Sequence, residues 1–220
     1  MFEVDNLIKI IQSDDFYDDL KELSVWASNV KQEAPILHII AKLLNRKGYK
    51  VTLEVKGEKI NDKKIKSDMG IDGKILEAKF CYEEDIYQKI QLLYNKADND
   101  LDLLLDWLDQ KIKNDKKFGY DPTLKILKDI FYKNPDIFML ICLSRNLLGF
   151  SDEELENINW TDNWLKYNKK IRGYNNADTL KILTSLFQDV DNKKPFEYYL
   201  VEIDTNMRFP STYHFYILDF

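Results

Sequence analysis

The sequence predicts an α/β fold, a mixed central sheet of four or five strands with helices on both sides. Three observations carry this. Apolar residues recur at helical spacing from Ile36 to Leu44, an alternating stretch from Tyr49 to Val55 comes directly after, and Asp72-Gly73 joins two β-prone runs. Helical and strand periods thus alternate along one chain, as they do when helices cover a sheet.

Taken in order, residues 5–31 read as one or two amphipathic helices, an N-terminal segment packed on the core. Leu20, Leu23, Val25, Trp26 and Val30 keep roughly helical spacing behind Asp18 and Asp19. Pro35 restarts or kinks the helix, and Lys47-Gly48 ends the buried one after it. Tyr49 to Val55 puts Val51, Leu53 and Val55 on one face of a strand, and Lys56 to Lys63 reads as a polar loop. Lys64 to Ile71 and Lys74 to Phe80 are short strands. Helices are expected at about Glu83 to Lys96, at Leu101 to Ile112, and from Asp121-Pro122, where Asp caps and Pro takes the first helical position. Pro135 to Ser144 is apolar on both faces, as a central strand is. Ser151 and Glu154 form a capping box, Thr179 to Phe187 is helical, and Phe196 to Ile203 and Tyr213 to Phe220 are aromatic-rich strands. The whole is one structural domain: residues 32–145 form its core and residues 146–220 a C-terminal helical and β-hairpin elaboration for DNA recognition or dimerisation.

The chain has 220 residues, 45% hydrophobic and 32% charged, which is enough apolar material for a real core. Its longest apolar stretches fall far short of the ~20 residues that span a bilayer, and the N-terminus shows no secretory signal. No membrane partner is expected. Cys81 and Cys142 lack metal-ligand or framework spacing and read as small buried thiols, which makes a reducing, cytoplasmic setting the default expectation. A net charge of −6 argues against non-specific coating of nucleic acid, whose affinity comes from phosphate neutralisation. Local basic runs at Lys56 to Lys66, Lys111 to Lys117, Lys166 to Arg172 and Lys193 to Lys194 leave room for a basic face.

The Asp72-Gly73 hairpin carries the chemistry. With a two-residue turn, Ile71 faces Lys74, Met69 faces Leu76, and Asp68 faces Glu77. Two carboxylates then share one side of the sheet with Cβ atoms about 4.5–5.5 Å apart. Lys79 points to that same face. Like charges so placed destabilise a hairpin and raise each other's pKa unless a cation intervenes. A divalent ion with oxygen ligands removes the conflict, and a neighbouring lysine can hold the attacking water and steady charge on a phosphate. Asp72 is the rival acid, but the turn alone explains it.

The segment SDMGIDGKILEAKF, with Asp68, Glu77 and Lys79, resembles the PD-(D/E)xK nuclease signature. Upstream, QEAPILHIIAKLLNRKGYKV resembles the first core helix of that family, with Glu33 as its acid. Glu33 also suits a helix start simply as a favourable dipole charge. There are two departures: Ser67 stands where the family often has proline, and Gln91 to Tyr94 is one residue short of the Gln-x-x-x-Tyr pattern of RecB-like members. The resemblance implies a restriction-endonuclease-like core. It implies one or two Mg²⁺ ions per site held by Asp68, Glu77 and the Ala78 carbonyl, with Glu33 joining directly or through water and Lys79 positioning the nucleophilic water.

The expected activity is that of a Mg²⁺-dependent endonuclease, resembling a type II restriction enzyme. It would act on double-stranded DNA as a homodimer, beside a cognate DNA methyltransferase. Asn168 to Asn176 and Asp204 to His214 carry groups suited to reading bases, although ordinary loops carry them too. Two rivals stand: a structure-specific repair, recombination or defence nuclease, and a catalytically silent acidic interaction protein of the same fold. Lys66 is expected to face Lys79, contacting phosphate or solvent. His38 is expected to be a satisfied core histidine, and His214 to be structural.

Overall fold

The computed structural model describes residues 2–26, 32–60, 63–83, 86, 100–113, 122–145, 176–206 and 210–220. Most of the expected helix over 83–96, with its Gln91 and Tyr94, the Asp121 cap, the capping box at Ser151, most of Asn168 to Asn176 and Arg208 lie outside them.

Helices α1 (Val4–Ile11) and α2 (Asp14–Trp26) are separated at Ser13, whose hydroxyl donates to Ile10 O at 2.7 Å and accepts from Phe16 N–H at 3.3 Å. Helix α3 (Glu33–Arg46) carries Pro35 in its first turn, where the missing N–H costs nothing. It ends in a Schellman motif. Gly48, at φ 90°, donates to Asn45 O at 3.0 Å, and Tyr49 N–H reaches Leu44 O at 3.1 Å.

Strands β1 (Val51–Ile60), β2 (Lys63–Ile71) and β3 (Lys74–Tyr82) come next. The expected polar loop over Lys56 to Lys63 is therefore strand at both ends. The polar composition conceals the pairing of β1 with β2, in which Lys56 faces Lys66 and Ile60 faces Lys63. Asp72 and Gly73, at φ 50° and 96°, form the turn between β2 and β3, both positive as a type I′ turn requires. Asp72 is further tied to the start of β1, its Oδ1 accepting from Lys50 N–H at 2.8 Å.

Helices α4 (Leu101–Lys113) and α5 (Pro122–Phe131) lead to β4 (Ile137–Arg145), parallel to β3. Helix α6 (Asn176–Lys193) precedes the hairpin of β5 (Glu197–Asn206) and β6 (Pro210–Asp219). The sheet is mixed and six-stranded, in the order β1-β2-β3-β4-β6-β5. That exceeds the four or five strands expected, because the aromatic C-terminal hairpin is continuous with the sheet: β6 pairs with β4 from Ile137–Asp219 to Arg145–Ser211.

Two apolar layers sandwich the sheet. On one face Leu7, Ile11, Phe16, Leu20, Ile36 and Leu44 of the first three helices pack on Met69, Ala78, Phe80, Met139, Ile141 and Phe215. On the other, Leu108, Leu127, Ile130, Leu183 and Leu186 pack on Phe138, Leu140 and Leu218. Strand β4 is buried on both faces, which explains its unbroken apolar run. Among the described residues no helix is long and apolar enough to cross a membrane.

Candidate active site

The β2–β3 ladder runs through Ile71–Lys74, Gly70–Ile75 and Met69–Leu76, and then stops. Strand β2 stays with β1 beyond that point, pairing Ser67 with Val55 and Lys66 with Lys56. The β1–β2 arm thus peels away from β3, and the amides on that edge of β3 lose their strand partners. Buried amides cannot be left unpaired cheaply. Two carboxylates take them: Ala78 N–H donates to Asp68 Oδ2 at 2.9 Å, and Phe80 N–H donates to Glu33 Oε2 at 2.7 Å. Asp68 N–H in turn donates to Glu77 Oε2 at 3.2 Å. Asp68 and Glu77 therefore lie side by side, joined by side-chain bonds where ladder bonds would otherwise run.

Glu77 is wholly buried on the face that α5 covers. There it meets two residues outside the motif. Lys133, just beyond α5, places its ammonium against Glu77 Oε1 and 3.2 Å from Asp129 Oδ1. Asp129, itself buried, holds Lys79 Nζ at 2.9 Å through its other oxygen, and Lys79 lies 4.0 Å from Glu33 Oε2. A chain of alternating charge results: Glu33, Lys79, Asp129, Lys133, Glu77 and, beside it, Asp68.

Burial, then the charges of Asp129 and Asp68, push the Glu77 carboxyl up to about 8 although Lys133 opposes them. Burial works to lower the Lys79 ammonium, but Asp129 and Glu33 outweigh it and hold the group above the ordinary lysine range. Lys133 is raised too, against its own burial, by Asp129 and Glu77. Four carboxylates thus face two ammonium groups, and the proton that Glu77 keeps at neutral pH relieves part of that excess.

The structure brings Asp68, Glu77, Ala78 and Lys79 together, and it places Glu33 on Phe80 and Lys79. Asp129 and Lys133 escaped the sequence reading. Their signal was an acid beside buried positions Ile126 and Ile130, with a lysine four residues on, but nothing local says that α5 lies against β3. Lys66 does not face Lys79. With β2 turned away, it pairs with exposed Glu54 at 3.0 Å. His38 is exposed rather than in the core, its Nδ1 2.7 Å from Ala34 O one turn back, because α3 presents that side to solvent. His214 is buried in β6 with Nδ1 2.9 Å from Glu202 Oε1. Cys81 and Cys142 are buried thiols and direct partners across β3 and β4.

Compared with protein-family models, curated proteins and solved structures, the chain gives no match. Among the described residues no three or more His, Cys, Asp or Glu side chains gather in a ready-made metal cage. The Asp68–Glu77 pair still fits a hard divalent ion. Its donors are all oxygen, the Ala78 carbonyl shares the edge of β3 that β2 has left, and a divalent ion would offset the excess of carboxylates over ammonium groups around it. Mg²⁺ is commonly bound by one or two carboxylates, with waters and phosphate completing its shell.

Proposed function

We propose that the protein is a Mg²⁺-dependent endonuclease of the PD-(D/E)xK type, with a restriction-endonuclease-like core over residues 32–145. The observation that carries this reading is the Asp68–Glu77 pair, with Glu77 fully buried, set among four carboxylates and two ammonium groups at the point where β2 parts from β3. A proton on Glu77 relieves part of that excess of negative charge, and a divalent ion would relieve all of it.

Asp68, Glu77 and the Ala78 carbonyl would hold Mg²⁺, which when bound supplies Lewis-acid polarisation of the scissile phosphate. Lys79 is kept protonated by Asp129 and Glu33, so it acts as a donor. It would orient the attacking water or a phosphate oxygen and steady the developing negative charge. Asp129 fixes the direction of Lys79 from α5, while Glu33 secures β3 through Phe80 and sets the other flank. Of the nucleases that carry this motif, the reading favoured is a type II restriction enzyme acting on duplex DNA as a homodimer, with a methyltransferase protecting the host.

One observation favours a second reading. The ammonium of Lys133 already occupies one oxygen of Glu77, as it would in a catalytically silent protein stabilised by a buried ion pair. Incubation of purified protein with a large mapped duplex, with Mg²⁺ or without a divalent ion, separates the two. Discrete fragments with Mg²⁺, lost in folded Glu77→Ala and Lys79→Ala separately, are expected. A random smear would point to a structure-specific nuclease, and intact DNA throughout to the silent protein.

A further inference from the structure

The two lysines of the cluster are placed differently. Lys79 lies between Asp129 and Glu33, neither of which belongs to the Asp68–Glu77 pair. Lys133 sits on Glu77 itself, on an oxygen that a divalent ion at that pair would need. Both cannot be satisfied at once: a small dication and an ammonium sharing one desolvated carboxylate repel each other strongly. Lys133 has somewhere to go, since it remains partly exposed while Glu77 is sealed, and its stem is long and flexible. It also keeps Asp129 as a partner through Oδ1.

We propose that Lys133 is the resident counter-ion of the metal-free site. Its ammonium occupies Glu77 Oε1 until a divalent cation takes that position, and it then withdraws from Glu77 toward solvent. This rests on the metal-dependent reading above and gives it an internal competitor, one that sets the threshold concentration of ion. It also places a displaced positive charge at the mouth of the site when the ion is bound, where a DNA phosphate would meet it.

The test uses the wild-type protein, amine-selective reductive methylation and residue-level mass spectrometry, with and without Mg²⁺ at a concentration that saturates its thermal shift. Labelling of Lys133 is expected to rise several-fold with Mg²⁺ while Lys79 stays protected. Equal protection of Lys133 in both states would overturn the proposal. A second variant reads the same competition: Lys133→Gln is expected to bind Mg²⁺ about tenfold more tightly than wild type, and unchanged or weaker binding contradicts it. If Mg²⁺ gives the wild-type protein no thermal shift at all, the metal site itself is lost, which is seen before any labelling is read, and the counter-ion role falls with it.

Discussion

Between β4 and β6 every residue from Ile137 to Arg145 finds its partner, whereas between β2 and β3 the ladder ends at Met69–Leu76. The first region is held by regular hydrogen bonds and by side chains buried on both faces. In the second, carboxylates of Asp68 and Glu33 stand in for the missing strand carbonyls, and a buried chain of charge takes the place of apolar packing. The contrast teaches where a fold can carry chemistry. Strand separation frees one edge of β3, and the acids that satisfy its amides are those the proposed ion site would draw on.

Substitutions that separate the two regions should differ in kind. The largest effect expected is on activity: Glu77→Ala or Lys79→Ala should lower Mg²⁺-dependent cleavage by on the order of 10²–10³-fold or more, measured on mapped duplex DNA with circular dichroism confirming the fold. Ile141→Ala, at the centre of the laddered half, should do the reverse. Its cost is about 2–5 kcal/mol in urea denaturation, with Mg²⁺ affinity unchanged in the folded protein.

A smaller effect sharpens the electrostatic side of the comparison. The folded-state pKa of Glu77 lies near 8, above the ordinary 4.5, so folding favours its protonated form. The stability tied to that proton is fully present below about 4.5 and is lost as pH rises toward 8, at up to about 1.4 kcal/mol per pH unit. Thermal melts across this window should show that slope, and Glu77→Gln or saturating Mg²⁺ should flatten it. Smallest of all, Gly73→Ala forces a side chain into left-handed backbone at φ 96° and should cost about 1–2 kcal/mol without altering ion binding.

Local signals in the sequence were accurate because their causes are local. Asp72-Gly73 specified its turn, Lys47-Gly48 its helix end, and the apolar run from Ile137 its place in mid-sheet. The pairing of Asp68 with Glu77 came from counting outward from the turn. Counting could not show that β2 leaves β3 just there, so Lys66 was expected beside Lys79 and is found on Glu54 instead. The polar composition of Lys56 to Lys63 likewise concealed strand pairing. Asp129 and Lys133 were out of reach for a different reason: the packing of α5 against β3 joins residues some fifty positions apart, a relation no spacing rule contains.

The central claim, a divalent-ion site built on a protonated Glu77, is tested most directly by calorimetric titration of Mg²⁺ at pH 7 in buffers of different ionisation enthalpy. Binding accompanied by release of a proton, with both lost in Glu77→Gln, is the predicted result. No binding, or binding that releases no proton and survives Glu77→Gln, would contradict it.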